Sequence, residues 1–159
     1  MWSAMRLTSD YKAPLQRRVE IAQEALDTFA GKPFAWGSND CARLAALVLR
    51  RAGYKPNLAQ FGDYRSDLSA RKALKLRKMS SVLDWIDSVK GPFRIAPAAT
   101  LPCDLIAFPG ASGWDGLAVA LGNGRVLAFS GEIEDHPAVV IAAKLDLATA
   151  AWSVPPCLS

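Results

Sequence analysis

Cys41 is the residue in this sequence that is best placed to do covalent chemistry. It follows a short glycine-containing loop and precedes an apolar stretch with helical spacing. Asn39 or Asp40 can cap that helix, because either side chain can accept a hydrogen bond from an unpaired backbone N–H. A thiol in the first turn of a helix has a lowered pKa and a larger thiolate fraction. Cys41 is therefore a candidate nucleophile, and Trp36 and Asp40 are candidate pocket residues.

The other groups that could take part are few. The sequence contains one histidine, His136, and three cysteines with no CxxC spacing. A histidine-rich metal site and a disulfide framework are therefore excluded, and neither a metal nor another cofactor is expected. Cys103 and Cys157 have no chemical context of their own, and we interpret both as packing residues.

Length and composition favour one globular domain. The chain has 159 residues, of which 51% are hydrophobic, and this content excludes a disordered protein. No apolar run approaches the roughly 20 residues that cross a bilayer. The N-terminus lacks the layout of a secretory signal, so we expect the chain to be made and folded in a cytosol, unless another machinery exports it. Residues 1–13 are predicted to form an N-terminal arm, either a frayed end or a docking segment, and residues 14–159 the domain.

Four helices are predicted in the first part of the chain. The first runs from Pro14 to about Ala30, and the Cys41 helix ends at Gly53. The apolar stripe predicted for the first helix consists of Leu15, Val19, Ala22, Leu26 and Phe29. The third runs from about Ser66 to Lys78, and a Ser81–Asp84 capping box opens the fourth.

The third helix is rich in basic residues, which include Arg71, Lys72 and Lys75. A solvated amphipathic face explains them more simply than a nucleic-acid groove, because no aromatic residues are interleaved with them. The net charge of +4 is compatible with an anionic partner without requiring one. Nucleic acid is therefore not the expected partner.

Strands are predicted only after residue 103. Residues 92–103 contain three prolines and are predicted to be a linker without regular structure. The Gly122-Asn123-Gly124 step favours a hairpin turn. The predicted strands cover residues 105–108, 117–121, 125–129, 138–142 and 150–154. Helices followed by an antiparallel sheet of about five strands imply an α+β fold with the helices packed on the sheet.

The sequence resembles the NlpC-like branch of the papain-fold cysteine peptidases. The resemblance rests on Trp36-Gly37-x-x-Asp40-Cys41, on the strand that begins at Asp104-Leu105, and on the hairpin over residues 117–129. The chain is most similar to a phage and prophage subfamily that also has a Tyr64-Arg65-Ser66 step and an Ala-Ala-Trp ending. The resemblance covers about residues 15–154 and implies a papain-like fold.

Active members of this superfamily use a cysteine thiolate to attack peptide bonds of the bacterial cell wall. The resemblance places their histidine base at Gly116, or at Asp115 with a shift of one residue, and their third polar residue near Ala128. None of these residues is an imidazole. Asp115 and His136 are therefore the candidate substitute bases, although an aspartate with a reference pKa of about 4 donates protons poorly at neutral pH.

Two functions follow from the resemblance. The first is a tail component of a phage or gene transfer agent, at the tail tip, on an inactive or weakly active peptidase scaffold. Its partners would be other tail proteins of the hub or distal tail and bacterial peptidoglycan, and its location the virion tail. The alternative is an active cysteine peptidase or amidase that cleaves peptidoglycan peptides during genome entry.

Overall fold

The structure, a computed structural model, describes residues 13–110, 115–129 and 136–157. Within them the helices are α1 (Pro14–Phe29), α2 (Cys41–Ala52), α3 (Asp67–Leu76) and α4 (Val82–Ser88). The strands are β1 (Phe93–Arg94), β2 (Leu105–Pro109), β3 (Asp115–Gly122), β4 (Arg125–Phe129), β5 (Ala138–Ala142) and β6 (Ala150–Ser153). The predicted α+β class is confirmed. The predicted N-terminal arm lies outside the described residues apart from Ala13.

Local capping signals define the ends of α2 and α3. The Asp40 side chain accepts a hydrogen bond from the Arg43 backbone N–H, and Gly53 ends α2 in the left-handed conformation with φ +103°. Ser66 and Ser69 form a reciprocal capping box at the start of α3. At α4 Ser81 is the N-cap as predicted, but the reciprocal capping box is incomplete: Ser81 accepts from the Leu83 N–H, and Asp84 accepts mainly from Ser80.

The buried face of α1 differs from the predicted apolar stripe. Leu15 is 57% exposed and Val19 is 50% exposed, although both were predicted to face the core. The residues of α1 that are buried are Arg18, Ile21, Ala22, Ala25 and Phe29. The helix is rotated toward Arg18 because this side chain forms a buried ion pair with Asp104. A prediction based on the spacing of apolar residues cannot place the charged Arg18 on the buried face.

The sheet has the strand order β1-β6-β2-β3-β4-β5, and all its pairs are antiparallel. The predicted hairpin is present: β3 pairs with β4, and Asn123 and Gly124 both have the positive φ that its two-residue turn needs. The prediction of an irregular linker over residues 92–103 is wrong, since β1 pairs with β6 there. This short edge strand makes the sheet one strand larger than predicted.

The main core lies between the helices and one face of the sheet. Helices α1, α2 and α4 all pack against β3, which makes β3 the strand on which the helical part rests. A smaller apolar cluster around Ile106 and Val126 occupies the opposite face, where partly buried Leu145 and Ala148 help to cover it. Among the described residues, no helix has both the length and the apolar character needed to cross a membrane.

Candidate functional site

A cavity of about 160 Å³ opens where the start of α2 faces strands β2, β3 and β4. Cys41 lies on its helical side, and Asp115 and Gly116 lie on its sheet side. Most of the lining is apolar and aromatic, with Phe34, Trp36, Phe61, Trp85, Phe108 and Phe129 among its residues. The sequence-based expectation that Cys41 faces the hairpin is therefore met in the geometry.

Asp40 fixes the backbone that presents Cys41. The Asp40 carboxylate is buried, with 1% of the residue exposed. One of its oxygens accepts from the Arg43 N–H and the other from the Gly37 N–H, both at 2.8 Å. Because each oxygen is already engaged by the backbone, Asp40 has a structural role at the helix start. Cys41 then opens α2 in a half-buried position.

Gly37 locks this loop against the segment that follows α2. Its φ is +81°, and a Cβ atom at this position would collide with the backbone carbonyl oxygen of Tyr64. The Gly37 carbonyl in turn accepts a hydrogen bond from Arg43 Nε at 3.1 Å. Only glycine satisfies both the positive φ and the close approach. This accounts for the glycine in the Trp-Gly-x-x-Asp-Cys pattern.

Trp36 forms part of the cavity wall. Its ring meets Phe34 edge to face, with the ring centroids 5.1 Å apart, and Phe34 meets Phe129 of β4 in the same way at 5.5 Å. Such edge-to-face pairs are favourable beyond the area that they bury. The aromatic contacts therefore connect the Cys41 loop to the sheet.

Asp115 lies in the cavity at the first position of β3. Its Oδ1 accepts a hydrogen bond from Thr149 Oγ1 at 3.1 Å. Gly116 and Ala128, the other positions at which the family resemblance places catalytic partners, also line the cavity. The structure thus brings these three positions to the Cys41 side of the sheet. Asp115 presents a carboxylate there, Gly116 has no side chain, and Ala128 presents a methyl group.

His136 occupies a different place from Asp115. It is exposed and is not among the described residues that line the cavity. Its carbonyl oxygen accepts a hydrogen bond from the Phe34 N–H at 2.8 Å, next to the bridge between Pro33 and Pro137. The main chain at His136 therefore supports the cavity wall. Of the two candidate substitute bases, only Asp115 lines the cavity.

Tyr64, which the sequence marks only as part of the family motif, also lines the cavity. Tyr64 is 6% exposed, and its hydroxyl is enclosed beside the Asp40 carboxylate. Burial, and after it the nearby Asp40 carboxylate, raises the pKa of this hydroxyl above its ordinary value. The tyrosine is therefore neutral at physiological pH. No helical or strand periodicity marks it, because it lies in the loop before α3.

The remaining sequence-based interpretations concern the cysteines and the basic helix. Cys103 is buried, as expected of a packing residue, whereas Cys157 is exposed, although its side chain lies against Gly53. On α3, Arg71 Nε pairs with Asp67 at 2.8 Å, in agreement with a solvated face. In the described residues no group of three or more metal-binding side chains is gathered in one place.

Comparisons with known proteins give one family and one solved structure. No curated protein matches the chain. Among solved structures, the chain is similar to RipD from Mycobacterium tuberculosis, with 16% sequence identity and a TM-score of 0.44 over 89% of this chain and 97% of RipD. That protein is described as a non-catalytic NlpC/p60 domain protein with an adaptation to peptidoglycan-binding function. Residues 14–154 match the family described as "Domain of unknown function (DUF6950)", and the chain therefore belongs to this family.

Proposed function

We propose that this protein is a tail component of a phage or gene transfer agent, built on an NlpC-like scaffold. Its Cys41 cavity would bind the peptide part of bacterial peptidoglycan, with little or no cleavage. It would dock on other proteins of the tail hub or distal tail after synthesis in the bacterial cytoplasm. Support for the tail role comes from the motif resemblance around Trp36-Gly37 and Tyr64-Arg65-Ser66.

The chemistry of the cavity lining carries the binding role. Besides Cys41, the described lining residues that could exchange a proton are Asp40, Tyr64 and Asp115, and none of the described lining residues is a histidine. Peptide cleavage by a thiolate requires a group that protonates the leaving amine. A carboxylate with a reference pKa of about 4 is deprotonated at neutral pH and does not supply that proton. Binding therefore fits this cavity better than hydrolysis.

The shape and polarity of the cavity also suit a bound peptide. Small-molecule sites are concave and mostly apolar, with a few polar groups that fix orientation. Here the aromatic wall formed by Phe34, Trp36 and Phe129 surrounds a small set of polar groups. Stem peptides of peptidoglycan combine methyl and methylene groups with amides, and both of these have a counterpart in this cavity. Their carboxylates have no cationic side chain to meet among the described lining residues.

An active cysteine peptidase is the second candidate, and one observation favours it. Cys41 is the first residue of α2, it lies in a cavity, and a helix N-terminus stabilises a thiolate. Under this alternative, Asp115 would act as the base. The two candidates differ in a measurable way, because only the peptidase releases wall fragments.

Purified peptidoglycan sacculi distinguish the two candidates. We expect the wild-type protein and Cys41→Ala to sediment equally with sacculi and to release no soluble muropeptides. Cys41 in a Cys157→Ser background should react with iodoacetamide at pH 7 no faster than glutathione does. Fragment release that Cys41→Ala abolishes would overturn the binding role in favour of the peptidase. Failure of both proteins to bind sacculi, together with no release of fragments, would overturn both candidates.

The tail role has a separate test. Co-expression with each neighbouring tail gene should yield a stable complex with at least one tail protein, visible as co-elution in size-exclusion chromatography. Purified particles should contain the protein at the tip, where a specific antibody would label it. A protein that remains monomeric with every tail gene and is missing from particles would contradict the tail role while leaving wall binding intact.

A further inference from the structure

The end of α3 presents one leucine among three cations. Lys75, Leu76, Arg77 and Lys78, which we call the α3 tip, are all exposed. Leu76 is 83% exposed, more than any other large apolar side chain of the described residues. Lys78 has the left-handed φ of +59°, and the chain leaves the direction of α3 there. A single exposed leucine is ordinary, and it is the three cations around it that give this turn a distinct chemistry.

The described protein does not neutralise the cations of the α3 tip. Lys75 and Lys78 form no ion pair with a described residue. Arg77 Nε donates to the Gln60 backbone carbonyl at 3.0 Å, which holds the side chain but leaves its charge uncompensated. The two aspartates at the start of α3 already pair with arginines. Asp84 of α4, which accepts from Ser80, adds one negative charge nearby, so the tip stays positive.

A second cleft, of about 570 Å³, opens beside the α3 tip. Gln60 lines this cleft, and so does Met79, which directly follows Lys78. Its described lining also contains Lys55 and Lys90, together with amide and hydroxyl side chains, and no carboxylate. Ammonium and amide N–H groups are donors that bind phosphate oxygens. The cleft therefore extends the positive surface of the tip with a concave site for an anionic group.

We propose that the α3 tip and this cleft bind the surface of an anionic phospholipid bilayer, with Leu76 entering the headgroup region and the lysines contacting lipid phosphates. Clustered cations are attracted to anionic lipids, and an apolar side chain gains free energy at the boundary of the acyl chains. Nucleic acid would also attract the cations, but it offers no apolar phase to Leu76, and the tip has no aromatic residue on which a base could stack.

This contact is independent of the proposed function, because it uses the opposite side of α3 from the Cys41 cavity. Ala70 and Leu74 face that cavity, whereas Lys72 and Lys75 are exposed on the outer side together with Leu68. Leu68 is 64% exposed and lies two turns before Leu76. A bilayer could therefore lie along α3 while the cavity remains open to another ligand.

Vesicle flotation tests the contact with the full chain. Probes are vesicles of phosphatidylcholine alone and of equal parts of phosphatidylcholine and phosphatidylglycerol. We expect the wild type to float only with the mixed vesicles. Leu76→Ser should bind them about 5- to 10-fold more weakly, because it loses the apolar contact. The double variant Lys75→Gln, Lys78→Gln should bind them about 20-fold more weakly, because each lysine near an anionic surface contributes about fivefold.

The chain offers matched controls on the other face of the sheet. Leu147 is 56% exposed and Lys144 is exposed, and their neighbours Leu145 and Ala148 cover the smaller apolar cluster there. Leu147→Ser and Lys144→Gln should bind mixed vesicles as the wild type does. A loss in Leu147→Ser as large as that in Leu76→Ser would overturn the inference. So would wild-type binding that ignores phosphatidylglycerol, or no binding to either vesicle.

A fluorescent probe distinguishes insertion from attraction by charge alone. Leu76→Cys, in a Cys41→Ala, Cys157→Ser background, is labelled with the environment-sensitive dye NBD, while Cys103 is buried. Its emission should rise with mixed vesicles, and the same label at Leu147→Cys should not respond. An unchanged emission at position 76 would overturn the inference even if the protein floats. Tighter binding to duplex DNA than to vesicles, unaffected by Leu76→Ser, would assign this surface to nucleic acid and overturn it as well.

Discussion

Gly37 is the residue whose backbone geometry the Cys41 loop depends on most directly. We expect Gly37→Ala to lower the free energy of unfolding by about 2–4 kcal/mol, because the added methyl group meets both the positive φ and the Tyr64 carbonyl. Urea denaturation followed by tryptophan fluorescence measures the change.

Gly31 provides the matched control for this substitution. Its φ of +80° is nearly that of Gly37, but a Cβ atom there would have nothing within 4 Å. Gly31→Ala should therefore lower the free energy of unfolding by only about 1–2 kcal/mol, because it meets the unfavourable φ but no steric contact. Equal losses in the two variants would show that the contact between Gly37 and Tyr64 does not restrict the loop.

Cys103 should be the unreactive cysteine of the native protein. Burial raises the pKa of its thiol to about 12, although the adjacent Arg18 opposes the shift. We expect the thiol reagent DTNB to modify Cys41 and Cys157 in the folded protein at pH 8 and to reach Cys103 only after unfolding in urea. Rapid modification of Cys103 in the native state, shown by peptide mapping, would contradict this expectation.

The same shift predicts a loss of stability in alkali. The unfolded thiol, with an ordinary pKa of 9.0, releases its proton before the folded thiol does. Deprotonation therefore favours the unfolded state, and stability should fall as the pH rises from about 9 toward 12. Urea midpoints measured across this range should fall less steeply in Cys103→Ala than in the wild type. Equal slopes would exclude Cys103 as the titrating group.

At the scale of elements, Asp87 connects α4 to both β1 and β6. Its carboxylate accepts two hydrogen bonds from Arg94, at 2.8 and 2.7 Å, and one from Trp152 Nε1 at 2.8 Å. The Arg94 contact, with a smaller contribution from Trp152, holds the pKa of Asp87 below its ordinary value. A lowered pKa means that the contribution to stability is present above about pH 4 and is lost as the pH falls further.

Asp87→Asn should therefore lower stability at pH 7 and make less difference in acid. We expect a loss of up to about 1 kcal/mol at pH 7, because both charged side chains are almost half exposed. Urea curves at pH 7 and pH 3 measure the change. Asp63→Asn is the control, since the Asp63–Arg65 pair is still more exposed. A deficit that stays constant between the two pH values would show that the charge of Asp87 contributes nothing.

Local signals explain which elements the sequence predicts correctly. The Asp40 cap, the Gly53 stop and the Asn123-Gly124 turn act within a few residues, and each element that they define is present. Long-range contacts explain the errors. β1 exists only because it pairs with β6, and the rotation of α1 depends on Asp104, far along the chain. No local pattern contains those partners.

The candidate site likewise contains residues that the sequence predicts and residues that only the tertiary structure reveals. The position of Cys41 follows from local capping, and the placement of Asp115 and Gly116 opposite it follows the family resemblance. Tyr64 was not predicted as a polar site residue, because its burial arises from the approach of Gly37 to its backbone and from the apolar walls around it. Residues in loops acquire their environment only when the tertiary structure forms.

At the scale of the whole molecule, one buried polar network connects the first helix to the sheet. Arg18 of α1 pairs with Asp104 at 2.5 Å and donates to Ser153 Oγ of β6 at 3.3 Å. Asp104 also accepts the backbone N–H groups of Leu101 and Val154, both at 2.8 Å. The side chains of Arg18 and Asp104 are only 7% and 1% exposed. Helices and sheet are therefore expected to unfold together.

Replacement of Arg18 should destabilise the whole domain. Arg18→Met keeps an apolar stem but leaves the Asp104 carboxylate buried without its counterion, which costs about 3–5 kcal/mol. The neighbouring Arg17 is half-buried and pairs with Glu20 at 3.6 Å. Arg17→Met should therefore cost less than about 1 kcal/mol and serves as the control.

Two probes of unfolding report whether the helices and the sheet lose stability together in Arg18→Met. Far-ultraviolet circular dichroism follows mainly the helices, and fluorescence follows Trp85 of α4 and Trp152 of β6 in the core. For Arg18→Met we expect one transition with coincident midpoints, shifted to lower urea than in Arg17→Met, because α1 cannot separate from β6 without exposing the core on β3. Separate midpoints would show that the helices and the sheet unfold independently. A loss no larger than that of Arg17→Met would show that Asp104 tolerates burial without its arginine.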